Sequence, residues 1–406
     1  MSPGRAVVAG GSIGGLLAGL LLHRAGWTVT ICERAGEALA SRGAGIVTHP
    51  ELHAAMVAAG ADLSEGLGIA VDGRVVLARD GTAICAAAMP QVLTSWGRAY
   101  RFLRAACPEG IYLHGKALER IAERGGTVAV HLGDGSVETA DLLVAADGVQ
   151  STARRLLFPA AAPRYVGYCA WRGLLDERAL SPAAHAQLFR SVAFCLPSRE
   201  QMLGYPVAGA DEELTPGRRR FNFVWYRPAD PAGDMKDLFT GSDGRDYGSA
   251  IPPHRIRPDV IDRMRDDAGR LLAPAFAEVV RKTPQPFLQA IFDLETPSMA
   301  VGRTALLGDA AFVARPHVGL GVTKAAGDAV ALVRALAEHA DVPAALAAYD
   351  AERRPYGARA IRRARHLGAY LQAQLLSPEE RAQAELHRSP RAVMLETAVV
   401  DDIERW

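Results

Sequence analysis

An α/β fold is predicted for this chain by three observations. A glycine turn joins an apolar run to a helical pattern near the N-terminus. A short, wholly apolar strand recurs at 142–146 and a further short strand at 301–307, and a long β-rich stretch runs from about 165 to 293.

The N-terminal unit is the most informative. Ala6-Val7-Val8-Ala9 suits a strand buried on both faces, as in a parallel sheet. Gly10-Gly11-Ser12-Ile13-Gly14-Gly15 follows directly. Gly10 permits the tight turn, Gly15 lets the helix pack close to the sheet, and the backbone between them can approach a pyrophosphate at a helix N-terminus. Helical spacing continues through Leu16, Leu17, Leu20 and Leu21 to Gly26, which is placed to end the helix. Val29 to Glu33 is the next strand, and Glu33, followed by Arg34, lies 23 residues after Gly10, where an acid accepts hydrogen bonds from a ribose. The unit is built to hold an ADP-bearing dinucleotide. Ser12 departs from the fingerprint, occupying the position of its second glycine.

Composition bounds the rest. The 406 residues allow two or three domains, or one domain with a large insertion, and 49% hydrophobic residues can bury a substantial core. A net charge of +1 gives no electrostatic case for nucleic acid or a membrane surface. Five scattered cysteines show no metal-ligand or disulfide spacing, so no metal is expected and a reducing cytoplasm fits. Ile13 to Leu22 is far short of a membrane span and has no basic leader before it.

Along the chain, Ser41 to Pro50 reads as a loop in which Arg42, Gly43 and Ala44 can lie against a phosphate or a flat ring. A helix is expected over 51–61, a hairpin around Asp80-Gly81 within 71–93, and a helix over 95–107. A buried strand at 142–146 ends in Asp147-Gly148. Four strands are expected between 165 and 226; alternation in the last places Phe221, Phe223 and Trp225 on one face and Asn222, Val224 and Tyr226 on the other. Residues 229–258, rich in Asp, Gly and Pro, read as a mobile loop, and Arg218-Arg219-Arg220 as a solvated turn. Gly308-Asp309 follows the strand at 301–307, and Gly319-Leu320-Gly321 leads a periodic helix over 322–338. Residues 344–376 read as helix interrupted at Pro355, with their arginines on a solvated or subunit-facing surface, before a last helix and tail.

The Gly10–Gly15 turn with Glu33, the Asp147-Gly148 dipeptide and Gly308-Asp309 before a glycine-led helix resemble the three motifs of single-component FAD-dependent aromatic hydroxylases, the para-hydroxybenzoate hydroxylase family. Gly43 to Val47, Trp171-Arg172-Gly173, Tyr205-Pro206-Val207, Asn222-Phe223 and Arg315-Pro316-His317 resemble its 2,6-dihydroxypyridine hydroxylase branch. Two positions depart from the family pattern. Trp96 stands where many members carry a flavin-touching arginine, leaving Arg98 and Arg101 as substitutes, and His49 stands where glutamine is expected.

The resemblance implies a Rossmann-like FAD-binding domain with an inserted β-sheet substrate domain and C-terminal helices. By it, 1–72, 95–163 and 294–370 bind FAD, 73–94 and 164–293 bind substrate, and 371–406 form a C-terminal helix and tail. Glu33 would hold the adenosine ribose, Arg42 the pyrophosphate side, Asp309 the ribityl chain, and Gly319, Leu320 and Gly321 the pyrimidine end of the isoalloxazine, with Asp147 also at the cofactor. The implied chemistry is reduction of FAD by NADH or NADPH, addition of dioxygen at flavin C4a, and oxygen delivery from the hydroperoxide to a dihydroxypyridine-like or phenolic ring. His317, able to titrate near neutrality, is the first candidate for proton handling, with Tyr205 beside it. His49, Tyr205, Trp225 and Pro316 are candidates for the substrate space. The implied partners are the aromatic substrate and dioxygen, and a homodimer is common among relatives. A flavin oxidoreductase without oxygen insertion and a non-catalytic flavin-binding protein are the alternatives.

Overall fold

The computed structural model describes residues 3–37, 39, 45–371, 377–399 and 403. Two sheets dominate it. The first has six strands, in the order Ala300–Val301, Thr304–Leu306, Leu142–Ala145, Arg5–Ala9, Thr28–Glu33 and Tyr112–His114. All neighbours are parallel except the short Ala300–Val301 edge. Arg5–Ala9 lies centrally, with Ala6, Val7 and Val8 wholly buried, as its apolar run requires.

The helix Ile13–Arg24 returns over this sheet and is buried on nearly every side, from Ile13 through Leu22. A helix apolar all round needs partners all round. The helices Gly321–Glu338, Pro50–Ala58 and Trp96–Ala105 supply them.

The second sheet has nine strands, in the order Phe312–Val313, Phe287–Glu295, Arg164–Asp176, Arg220–Pro228, Gln201–Val207, Ser191–Cys195, Ile69–Leu77, Ala83–Ser95 and Gly45–Val47. One face carries Trp171, Phe221, Phe223 and Trp225 against the helices Pro182–Leu188, Pro258–Leu271 and Pro274–Lys282. The other carries Tyr168, Tyr205, Val224 and Tyr226. The alternation expected for 221–226 is observed, and it decides which side chains share a site. A three-stranded sheet, Leu118–Arg124, Thr127–Leu132 and Val137–Ala140, flanks the first.

Several expectations are corrected. Residues 229–258 contain a helix, Asp234–Phe239, and anchor Phe239 and Ile251 in the core, so buried apolar contacts outweigh the turn-rich composition. Pro355 does not interrupt its helix, which runs continuously over Val342–Gly368. Burial on both sides of the proline holds it: Tyr349 donates to Leu306 O at 2.8 Å, and Gly357 lies against the Phe312 ring. Two of its arginines are buried in ion pairs, Arg353 with Asp328 at 2.7 Å and Arg363 with Glu396 at 3.2 Å. Arg219 of the basic triplet is clamped by Glu177 at 2.6 Å, and Arg220 donates to Gly209 O, so these are tethers to neighbouring turns.

Candidate active site

The glycine turn stands at the end of the central strand. Gly10 adopts φ +104°, and a Cβ there would lie 2.3 Å from Ala146 O. A Cβ at Gly15 would lie 1.8 Å from Gly10 O, so the helix reaches its place only without a side chain. The first helical turn contains no acid, which leaves the helix N-terminus open to an anion.

Glu33 ends the next strand. Its Oε2 accepts from Gly11 N and its Oε1 from Ala35 N, both at 2.8 Å. Beside it opens a cleft of about 480 Å³ lined by Gly10, Ser12, Glu33, Arg34, Trp96, Asp147 and Gly148, among others. Ser12 makes no capping bond with its side chain. Ile13, Gly14 and Gly15 form the helix start behind it, while Arg42, Gly43 and Ala44 lie outside the described residues.

Asp147 is committed to the protein itself. Its carboxylate accepts from Ser151 Oγ and from the N–H groups of Thr152 (2.7 Å) and Ala153 (3.2 Å), capping the helix Thr152–Leu157. Trp96 stacks on Tyr100 at 4.8 Å. The two arginines considered as its substitutes differ in setting. Arg98 is buried and donates to Gly66 O, Glu65 O and Glu212 O, and Arg101 pairs with Glu65 at 2.8 Å.

A second group gathers after the strand Thr304–Leu306. Asp309 lies in the turn Gly308–Ala310, its carboxylate 2.6 Å from Lys324 Nζ. Arg154 underpins the same turn, donating to Ala310 O at 3.3 Å. Gly319, at φ +66°, and Leu320 lead into the helix beginning at Gly321, and Pro316 is exposed nearby. His49 is buried, with Nδ1 2.8 Å from Thr323 Oγ1 on that helix and Nε2 3.4 Å from Ala398 O.

His317 corrects an expectation. It is 1% exposed, its Nε2 lies 2.8 Å from Tyr168 Oη, and burial, reinforced by the Arg315 cation, pushes its pKa down to about 3. It is a neutral imidazole at neutral pH, not a group titrating there.

The third group is on the Tyr205 face of the nine-stranded sheet. Register pairs Tyr205 with Asn222, Val224 with Arg172, and Gln201 with Tyr226, so these groups share one face. Burial pushes the Tyr205 phenol up to about 12, with Arg172 acting in opposition, so it stays protonated. Among the described residues, Arg172 Nε and Asn222 Nδ2 are buried without a hydrogen-bond partner. Gly45 N donates to Asn222 Oδ1 at 3.0 Å, and a Cβ at Gly45 would touch the Tyr205 ring at 2.4 Å. Trp225 is not among them. It is wholly buried on the opposite face, its indole N–H donating to Glu200 at 2.8 Å, because strand alternation turns it away from Tyr226.

Sequence reasoning passed over Lys324, Arg154 and the pairing of Arg172 with the Asn222 row. A lysine in the first turn of a helix, against the dipole, was the available signal for the first. Arg154 depends on a helix meeting a distant turn, and Arg172 on sheet register.

Two family models match the chain, an FAD binding domain-like model over residues 165–293 and an FAD binding domain model over 277–364. The 2,6-dihydroxypyridine 3-monooxygenase of Paenarthrobacter nicotinovorans is 27% identical over 92% of this chain and 93% of its own length. The 3-amino-4-hydroxybenzoate 2-monooxygenase of Streptomyces cremeus is 30% identical over 89% of this chain and 86% of its own. The chain belongs to the FAD-dependent aromatic hydroxylases. The solved structure of 2,6-dihydroxypyridine-3-hydroxylase from Arthrobacter nicotinovorans superposes with a TM-score of 0.86 at 26% identity, covering 91% of this chain and 93% of that one. This hydroxylase is therefore an FAD-dependent aromatic monooxygenase that uses NAD(P)H and dioxygen on a small aromatic substrate. Its mixed α/β fold, with a parallel sheet and C-terminal helices, is that of its relatives. Among the described residues, no helix is long and apolar enough to cross a membrane.

Proposed function

We propose that this hydroxylase acts on a dihydroxypyridine-like or phenolic ring bound against the Tyr205 face of the nine-stranded sheet. The observation that carries the reading is the row of donors there. Among the described residues, Arg172 Nε and Asn222 Nδ2 are buried with no partner, and the Tyr205 phenol is held protonated. Buried donors without partners are costly, and a ring bearing oxygen acceptors relieves that cost. The Arg172 cation favours the deprotonated form of a ring hydroxyl, which makes the ring more nucleophilic.

On the cofactor side, Glu33 would hold the adenosine ribose, Asp309 the ribityl chain, and Gly319, Leu320 and Gly321 the pyrimidine end of the flavin. The glycine cradle with its acid-free helix start and the cleft beside Glu33 fit an ADP moiety. Asp147 would act through the helix it caps, shaping the cleft wall. When bound, FAD supplies the activation of dioxygen, and the chain's own groups orient the ring and exclude water. His317, neutral and tied to Tyr168, would fix the position of that tyrosine and its neighbours rather than take a proton. The same reading places the chain in a reducing cytoplasm, supported by five cysteines that form no disulfide, and includes the homodimer common among relatives.

The test is oxidation of NADH and NADPH by the FAD-loaded protein with a panel of hydroxypyridines and phenols, quantifying hydroxylated product and hydrogen peroxide together. Stoichiometric product from a hydroxylated ring supports the reading. Peroxide alone across the panel counts against it.

A further inference from the structure

Lys324 is the fourth residue of the helix Gly321–Glu338, and its side chain is 2% exposed. A cation there opposes the positive end of the helix dipole, and burying it adds a desolvation cost. Stability alone is a poor reason for such a residue. Its contacts are specific. The ammonium lies 2.6 Å from Asp309 Oδ1, donates to Phe312 O, and stands 4.5 Å from the centre of the Phe312 ring.

One helical turn further on, Asp328 is wholly buried and accepts from Gly308 N at 3.0 Å. Lys324 and Asp328 therefore share one face of the helix, and that face grips the two consecutive residues Gly308 and Asp309. Asp328 has its own counter-ion in Arg353, at 2.7 Å. Among the described residues the carboxylate paired with Lys324 is Asp309. Asp309 nevertheless keeps 47% of its side chain exposed, so the lysine holds it from behind and leaves the solvent side open.

We propose that Lys324 is a positioning residue for the flavin site: it holds the Asp309 carboxylate in one orientation, ready to accept hydrogen bonds from the ribityl hydroxyls of FAD. The proposal rests on the placement of Asp309 at the ribityl chain. It assigns part of the FAD affinity to a residue that the flavin does not touch.

The experiment is a double-mutant cycle on FAD affinity, read by flavin fluorescence on the deflavinated full-length protein, with a thermal melt of each apoprotein. The variants are Asp309→Ala, Lys324→Met, Lys324→Gln, Lys324→Arg and the double Lys324→Met/Asp309→Ala. Lys324→Gln retains a donor for Phe312 O without the charge and serves if the methionine variant does not fold. We expect Asp309→Ala and the uncharged Lys324 variants each to weaken FAD at least tenfold. The double variant should bind no more weakly than Asp309→Ala alone, and Lys324→Arg should recover most of the affinity. If Asp309→Ala weakens FAD while Lys324→Met and Lys324→Gln leave it unchanged, or if the losses simply multiply in the double variant, the proposal is overturned and the Asp309 placement stands. If Asp309→Ala itself leaves FAD affinity unchanged, that placement fails and the proposal falls with it.

Discussion

At the scale of single residues, His317 shows how a side chain's neighbours reverse what its type suggests. A histidine beside a proline loop near the cofactor motif suggests proton transfer at neutral pH. Inside the protein, burial and Arg315 hold its pKa at about 3, against an ordinary value of 6.5. The folded state therefore excludes a proton that the unfolded chain takes up as pH falls through 6.5. The stability this gives is fully present above pH 6.5 and is lost progressively down towards pH 3, at about 1.4 kcal/mol per pH unit. Between pH 6.5 and 5 the native protein should lose roughly 2 kcal/mol through this one group. Urea unfolding at the two pH values, compared with His317→Gln, checks it; an equal loss in both proteins would mean that His317 titrates in the folded state. None of this was legible in the sequence, because the burial comes from Tyr168, Tyr226 and Gly368, which lie far from His317 along the chain. Trp225 is the opposite case: alternation alone had put it on the Phe221 face, and its inclusion with the substrate residues ran against that pattern.

At the scale of elements, the strand, turn, helix and strand between Arg5 and Glu33 were readable because every contact that defines them is nearly local. Gly10 meets Ala146 across the sheet, but Gly15 meets Gly10 itself, and Glu33 accepts from Gly11. Spacing is then almost the whole of the geometry. The nine-stranded sheet was only partly readable. Its hairpin at Asp80-Gly81 follows from turn chemistry, but the parallel pairing of Ile69–Leu77 with Ser191–Cys195 joins segments with no local link. Gly14 and Gly15, two of the three glycines of the first helix, separate necessity from habit. At Gly15 an added Cβ would overlap Gly10 O at 1.8 Å, whereas at Gly14 it would meet Ala325 Cβ and Leu307 Cδ2 at 3.1 Å. Gly15→Ala is expected to cost more than about 3 kcal/mol and to yield protein without flavin. Gly14→Ala should stay within about 1 kcal/mol of the parent, because alanine's helical preference offsets a tight contact. Thermal melts and the flavin-to-protein absorbance ratio compare the two.

At the scale of the whole molecule, the path of the chain makes the two sheets interdependent. It leaves the first sheet after Glu33, enters the second at Gly45, returns by Tyr112, leaves again after Ala145, returns at Ala300 and contributes Phe312–Val313 to the second before the long helices begin. The C-terminal segment closes over both. The helix Pro390–Glu396 packs on Ile69–Leu77 and Ala83–Ser95, held by Arg74, which donates to Met394 O at 2.7 Å, while Ile403 is buried in the core of the first sheet. Neither sheet can come apart without dragging chain out of the other, so one cooperative transition is expected despite a length that commonly divides into separately melting domains. The tryptophans provide the test. Trp27 and Trp96 belong to the first core, Trp171 and Trp225 to the second. Phenylalanine at Trp27, Trp96 and Trp406 leaves emission from the second core alone. Its urea transition should coincide with flavin release and with loss of helical circular dichroism. Free FAD at a hundredfold excess over its dissociation constant should then raise the stability read at Trp171 and Trp225 by about 2.7 kcal/mol, although the cleft proposed for FAD lies beside the other sheet. A Trp171/Trp225 transition that precedes flavin release and ignores added FAD would show that the sheets unfold independently and that the crossings do not couple them.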